Sequence, residues 1–97
     1  MSDSQTLPTA EREALVCNQR GLHARASARF CEAASGFDAE VTVAKDGQAV
    51  DGASLMDLLM LGAAQGSRLT IKAVGADAKE AVAVLVALTE GGFGEGC

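Results

Sequence analysis

Apolar and polar residues alternate with period two in several short stretches of this 97-residue chain, the spacing of a half-buried β-strand. Two such stretches flank Asp46-Gly47, a dipeptide that favours a two-residue hairpin turn. Another places Leu69, Ile71 and Ala73 on one face, and a short apolar run near the N-terminus has the length of a strand. The predicted strands are 12–17, 39–45, 48–51 and 68–74.

Two longer stretches follow the 3.6-residue period of an α-helix. The alanine-rich segment 24–35 contains no Gly or Pro and is expected to end at Gly36. Asp77 is expected to cap a last helix that runs to about Thr89 and ends before Gly91. The positions expected to face the core are Ala24, Ala28, Cys31 and Ala34 in the first of these helices and Ala78, Ala81, Val82, Leu85 and Leu88 in the last.

A short helix is predicted over 55–61, between the hairpin and the last strand. Ser54 precedes it and Asp57 follows three residues later, a variant of the capping box, and Gly62 closes it. Nearly every residue of this helix is Leu or Met, which is more than one face can bury. Either all of them pack into a small core, or some remain exposed as a surface for a partner. The pattern alone leaves both alternatives open.

The order β-α-β-β-α-β-α predicts an α+β fold, an open-faced sandwich with a four-stranded antiparallel sheet and three helices on one face. The chain is long enough for one core and too short for two. The polar residues 1–10 are expected to form a disordered leader. Residues 11–97 are then one domain with a frayed C-terminal tail.

Composition excludes several classes of function. No apolar stretch reaches the roughly 18 residues of a membrane span, and the N-terminus lacks a signal peptide, so a cytoplasmic protein is expected, without membrane insertion. The net charge of -5 disfavours nucleic acid as a partner. Cys17, Cys31 and Cys97 are odd in number and form no CxxC pair, which argues against a disulfide framework and against a metal site. Two of them are expected in the core, with a free thiol in the tail.

The only histidine, His23, lies where the first predicted helix begins. The surrounding segment 14–31 contains Arg20, Arg25 and Arg29 and no acidic residue, although the whole chain is acidic. Backbone N–H groups at a helix start and nearby arginines favour an anion such as a phosphoryl group. The alternative is three solvated arginines on a surface helix, but their position around the only imidazole favours the anion.

The segment Gly21-Leu22-His23-Ala24-Arg25, together with the element order and the length, resembles the HPr family of phosphocarrier proteins of the bacterial phosphotransferase system (PTS). The resemblance covers the chain from about residue 14 to residue 94. Segments 36–41, 58–61 and 92–95 look closest to the nitrogen-related branch of the family, the NPr proteins. The phosphocarrier is therefore expected to act in the regulation of nitrogen use or metabolism.

The resemblance implies that His23 accepts a phosphoryl group from phospho-Enzyme I, which takes it from phosphoenolpyruvate, and passes it to an EIIA-type protein. Arg25 would stabilise the phosphoryl group, and the backbone N–H groups of Ala24, Ala26 and Ser27 would bind it. The family usually has proline where this chain has Ala26, which frees one more N–H. The Ser27 hydroxyl either faces the phosphoryl oxygens or bonds to its own backbone. Such a chain is a monomeric carrier rather than a free-standing enzyme and needs no cofactor.

Ser54 matches the position that an HPr kinase/phosphorylase modifies in many family members, although a helix cap explains the serine equally well. The residues expected to bind partners are Arg20, Arg29, Leu55, Met56 and Leu59. A different function is a purely regulatory module that binds proteins through the Ser54 helix, with His23 dispensable. A small enzyme is disfavoured, because no second general acid or base lies near His23 in sequence and a one-layer sheet offers no deep cleft.

Overall fold

The computed structural model describes residues 7–97. Its strands and helices, in chain order, are β1 (Thr9–Leu15), α1 (Ala24–Ser35), β2 (Glu40–Lys45), β3 (Gln48–Asp51), α2 (Leu55–Leu61), β4 (Arg68–Val74) and α3 (Ala78–Glu90). The strands form one sheet in the order β1-β4-β2-β3, in which all neighbours are antiparallel. The predicted α+β fold and its element order are confirmed.

The core lies between the sheet and the helices. Inward-facing residues alternate along β4, where Leu69, Ile71 and Ala73 are fully buried as predicted. Helix α1 was expected to turn Ala24 and Ala28 inward, but both are exposed. The large ring of Phe30 is fully buried and sets the rotation of this alanine-rich helix, whose periodicity is too weak to do so. The inward residues of α1 are Ala26, Ser27, Phe30 and Ala34.

The N-terminal boundary differs from the prediction. Thr9 and Ala10, expected in the disordered leader, pair with Val74 and Ala73 of β4, and the strand ends at Leu15 rather than at residue 17. The cause is that the edge of β4 has backbone N–H and C=O groups along its whole length that need hydrogen-bond partners. These groups favour pairing with residues 9 and 10 even where the side chains are polar. The first six residues of the predicted leader lie outside the described residues.

The C-terminal boundary differs as well, because the expected tail does not fray. After α3 the chain makes a single 3-10 turn, Gly92–Gly94, and the ring of Phe93 is fully buried. Cys17 and Cys97 form a disulfide, with their Cα atoms 5.0 Å apart, so the expectation of no disulfide was wrong. A cysteine count cannot show this pairing, since it depends on the return of the tail across 80 residues. Cys31, half-buried in α1, is the free thiol.

The start of α3 is organised differently from the prediction. Asp77 occupies the N-cap position but makes no capping bond with its side chain. Its carboxylate accepts a hydrogen bond from the backbone N–H of Asp38, at 2.8 Å. The side chain therefore ties the segment before β2 to the start of α3, a contact between distant parts of the sequence that local patterning does not reveal.

Helix α2 follows the prediction. Ser54 Oγ accepts a hydrogen bond from the Asp57 N–H at 3.3 Å, and Gly62 ends the helix in the left-handed conformation. Only Leu58 and Leu61 are buried. The apolar residues that remain exposed, here called the α2 patch, are Leu55 (40%), Met56 (67%), Leu59 (38%) and Met60 (72%). Of the two alternatives for this helix, exposure is therefore the correct one.

Replacement of Ser54 by alanine should lower the free energy of unfolding by about 1 kcal/mol, because an N-cap hydroxyl is lost. Ser35→Ala is the matched control, since the Ser35 hydroxyl lies at the C-terminal end of α1 and donates only to the Cys31 carbonyl in the same turn. Urea denaturation of both variants measures the difference. An equal loss of stability in the two variants would contradict a capping role for Ser54.

Candidate functional site

The loop between β1 and α1 is anchored before it reaches His23. Gly21 has a φ of +64°, and a Cβ there would lie 2.9 Å from the Ala64 Cα, which excludes other residues. The Leu22 N–H donates to the Ala63 carbonyl at 2.9 Å, and the Leu22 side chain is buried. These contacts with the segment between α2 and β4 place His23 at the start of α1.

His23 is the N-cap residue of α1. Its backbone is extended, and its carbonyl accepts the first intrahelical hydrogen bond from the Ser27 N–H at 2.8 Å. Its ring nitrogen Nδ1 accepts a hydrogen bond from the Arg25 N–H at 3.2 Å, as a serine or aspartate oxygen does at most helix starts. One nitrogen of the imidazole therefore faces the positive end of a helix.

The second ring nitrogen, Nε2, contacts a carboxylate oxygen of Glu95. The other oxygen of this carboxylate accepts from the side-chain amide of Asn18 at 3.1 Å, and the same amide donates to the Gly21 carbonyl at 2.8 Å. With Glu95 in place, only 15% of the His23 side chain is exposed. The sequence around His23 contains no second acid or base, but the site does have one. Glu95 lies 72 residues away in the chain and contacts His23 in the fold.

The charge of Glu95 is favoured by its surroundings. Desolvation raises the pKa of Glu95, but hydrogen bonds from Asn18 and His23 and electrostatic attraction to His23 and Arg20 lower it by more. The net effect is a pKa of Glu95 below its usual range. A carboxylate that is ionised at neutral pH fixes the proton of a neighbouring imidazole on the nitrogen that faces it. In His23 that nitrogen is Nε2, so Nδ1 carries the lone pair.

The amides at the start of α1 divide into free and occupied groups. Among residues 7–97, the N–H groups of Ala24 and Ala26 have no backbone acceptor, whereas the Ser27 N–H is already bonded to His23. The prediction that the Ser27 amide binds a phosphoryl group therefore needs correction, because this amide makes the first bond of the helix. The buried Ser27 hydroxyl donates to the Leu22 carbonyl at 3.0 Å, which is the backbone alternative.

The three arginines of the positive segment have different surroundings. Arg25 is exposed, and within the described part of the chain no carboxylate lies at ion-pair distance from it. Arg20 is exposed, and its charge acts on Glu95. Arg29, expected to bind partners, donates to the carbonyl of Phe93 and so holds the C-terminal turn. Arg25 and Leu55 line one shallow groove, so the arginine surface continues into the α2 patch.

The fold and the site describe a small protein that presents one polarised imidazole at its surface, between helix amides and a carboxylate. Residues 10–91 match the family model described as "PTS HPr component phosphorylation site". The chain therefore belongs to the HPr family of phosphocarrier proteins, as the sequence resemblance predicted, and a phosphocarrier role in the PTS follows from that membership.

Several named phosphocarrier proteins are similar to this chain, in agreement with this assignment. The phosphocarrier protein HPr of Neisseria meningitidis serogroup A is 47% identical over 81 residues, 84% of this chain and 91% of that protein. The phosphocarrier protein NPr of Shewanella violacea is 39% identical over 85 residues, 88% and 93% of the two chains. The crystal structure of HPr-C-His from Thermoanaerobacter tengcongensis matches with a TM-score of 0.86 at 39% identity, over 91% of this chain and 99% of that one.

Sequence reasoning missed Glu95 and Asn18 as members of the site. Asn18 lies in a short polar segment and Glu95 in a glycine-rich one, and neither segment has a periodicity that would place its residue beside His23. The sequence has no signal that places Glu95 beside His23, because the segment after α3 contains no periodicity or motif that shows where it folds. Within residues 7–97 no helix is long and apolar enough to cross a bilayer.

The contact between Glu95 and His23 should respond to acid. Because the pKa of Glu95 is lower in the folded protein, the contact contributes stability that is complete above the ordinary glutamate value of about 4.3. That stability is lost as the pH falls through the lower, folded-state pKa. The chemical shift of the Glu95 carboxyl carbon, followed against pH, should have its midpoint below that of a peptide of residues 91–97. Identical midpoints would mean that Glu95 has no such partners in solution.

Proposed function

We propose that His23 carries the phosphoryl group and that it accepts the group on Nδ1, from phospho-Enzyme I charged by phosphoenolpyruvate. An EIIA-type protein then takes the group from His23. The observation that carries the proposal is the different surroundings of the two ring nitrogens. Nε2 faces the Glu95 carboxylate and keeps its proton, whereas Nδ1 faces the N-terminus of α1 and has a lone pair.

The transfer requires little rearrangement of this chain. The Nδ1 lone pair attacks phosphorus as the bond between phosphorus and the donor's atom breaks, and no proton has to leave Nδ1. The ring becomes positive, and the Glu95 carboxylate beside Nε2–H stabilises that charge. Delivery to the acceptor is the reverse step, in which the nitrogen–phosphorus bond breaks and the neutral ring returns.

The phosphoryl oxygens need donors, and the start of α1 supplies them. The backbone nitrogen of Arg25 lies 3.2 Å from Nδ1, and its N–H can donate to a phosphoryl oxygen instead once the group has arrived. The free amides of Ala24 and Ala26 belong to the same turn, and the helix dipole favours negative charge there. The exposed guanidinium of Arg25 has no acidic partner among residues 7–97 and is available to the phosphoryl group.

Partner proteins would dock on the face that contains His23 and the α2 patch. Arg20 is expected to meet their acidic groups, and Leu55, Met56 and Leu59 their apolar groups. We place this monomeric carrier in the cytoplasm and in the nitrogen-related branch of the family. The exposed patch equally suits the second candidate, a regulatory module that needs no phosphohistidine.

Ser54 remains a candidate for phosphorylation by an HPr kinase/phosphorylase. Its surroundings are acidic, since Asp57 lies in the first turn of α2 and the Asp51 carboxylate accepts from the Ala53 N–H at 2.9 Å. Two carboxylates so close would oppose a phosphate. Capping is therefore the better supported role, and Ser54→Ala serves as the variant that cannot be phosphorylated.

His23→Ala should abolish incorporation of a phosphoryl group in a protein that still folds, although loss of the N-cap of α1 should lower the free energy of unfolding by about 1 kcal/mol. The protein is incubated with phosphoenolpyruvate and its Enzyme I, and intact mass is measured at alkaline pH, where phosphohistidine survives. Persistent phosphate on the variant would contradict the carrier proposal. Absence of phosphate on the unsubstituted protein would favour the regulatory module.

Arg25→Ala should slow phosphorylation roughly ten- to a hundredfold, since a charged hydrogen bond contributes about 1.5–3 kcal/mol. Its effect on stability should be small, because the partner is absent until the phosphoryl group arrives. Arg12→Ala, an exposed change on β1, is the matched control for net charge. Quenched-flow rates at saturating Enzyme I make the comparison. Equal rates in the two variants would show that Arg25 acts only as a surface charge.

A further inference from the structure

We propose that Cys17 and Cys97 form a redox-sensitive latch that fixes Glu95 on His23. Cys17 lies two residues after the end of β1, on the path to the histidine loop, and Cys97 lies two residues beyond Glu95. Both sulfur atoms lie near the Glu90 carbonyl oxygen, at 3.3 and 3.5 Å. The disulfide thus joins the strand that leads to His23 to the segment that brings its carboxylate partner.

The segment 91–97, here called the C-terminal strap, depends on this bond for its order. Four of its seven residues are glycine, which lose the most conformational freedom when they are fixed. Apart from the disulfide, the strap is held by the buried ring of Phe93 and by the hydrogen bond that Arg29 donates to it. The Glu95 carboxylate adds its contacts with Asn18 and His23. Gly96 and Cys97 are exposed, so without the disulfide the end of the strap is held by these side-chain contacts alone and opens more readily.

The chemistry of the pair suits reversible oxidation. In a reducing compartment such as the cytoplasm, disulfides are mostly transient and regulatory. Cys97 is exposed and Cys17 is half-buried, so Cys97 is the thiol that small molecules can reach.

We take a low-molecular-weight disulfide as the oxidant. The Cys97 thiolate attacks one of its sulfur atoms and releases one small thiol, and the Cys17 thiolate then attacks Cys97 and releases the second. Two protein thiols and one small disulfide become one protein disulfide and two small thiols.

The consequence for transfer rests on the proposed function. With the latch closed, Glu95 holds the proton of His23 on Nε2 and leaves Nδ1 ready to attack. With the latch open, Glu95 leaves His23 for part of the time, and the ring then distributes its proton over both nitrogens. Glu95 is thus a positioning residue, and the reduced protein should accept the phosphoryl group about three- to tenfold more slowly, a part of the effect of one charged hydrogen bond.

The test equilibrates the full-length protein with reduced or oxidised glutathione and measures three quantities. Alkylation and intact mass count the free thiols, nitrogen NMR of the His23 ring gives its tautomer, and rapid quench gives the rate of phosphorylation by Enzyme I. Oxidation should remove two free thiols, shift the ring toward the form protonated on Nε2, and raise the rate. Far-UV circular dichroism should show the same fold in both states.

Three variants assign the redox response to the residues of the latch. Cys97→Ser should make tautomer and rate independent of redox state, and Cys31→Ser, which removes the free thiol, should leave the response intact. The Glu95→Gln variant should still form the disulfide, but its rate of phosphorylation should be the same in the reduced and oxidised states. The latch is overturned if all three thiols remain free after oxidation, or if two are lost without a change of tautomer. If neither redox state accepts a phosphoryl group, the carrier proposal fails, while thiol count and tautomer still decide on the latch.

Discussion

The arrangement of this protein centres on a single imidazole that is held from two sides. Nδ1 of His23 accepts from the first turn of α1, and Nε2 meets the carboxylate of Glu95. Either contact alone would leave the ring free to turn or the proton free to move between the nitrogens. Together they give the two nitrogens different roles, one that stays protonated and one that can attack phosphorus.

Much of the fold serves to bring these two sides together. Gly21 lets the histidine loop lie directly on the segment between α2 and β4, which fixes where α1 starts. The pairing of β1 with β4 places the exit of β1 beside the end of α3, because α3 packs against both strands. The buried ring of Phe93 and the hydrogen bond from Arg29 then turn the chain back toward the site. Contacts far from the imidazole thereby set its chemistry.

Sequence reasoning succeeded where a physical period or a local motif exists. The hairpin around Asp46, the strand with Ile71 and the capped helix after Ser54 all follow from spacing or turn chemistry. The histidine itself was found because it is unique and stands among arginines at a helix start. The resemblance to the HPr family then supplied the phosphoryl group, which no spacing shows.

Most of the failures have a common physical cause, since they involve contact between residues distant in sequence. Glu95 reaches His23, and Cys97 reaches Cys17, only because the chain after α3 folds back. Asp77 was expected to cap α3 but bonds to Asp38 across the fold. In the same way, strand pairing drew Thr9 out of the expected leader. The local sequence around a residue does not indicate such contacts.

The central claim is that His23 carries the phosphoryl group on Nδ1 while Nε2 keeps its proton beside Glu95. The most direct measurement is NMR of the protein labelled with nitrogen-15 in its histidine, after phosphorylation by Enzyme I and phosphoenolpyruvate. Coupling between phosphorus and nitrogen should be found at Nδ1, with a proton on Nε2. Coupling at Nε2, or no coupling to the ring at all, would contradict the account.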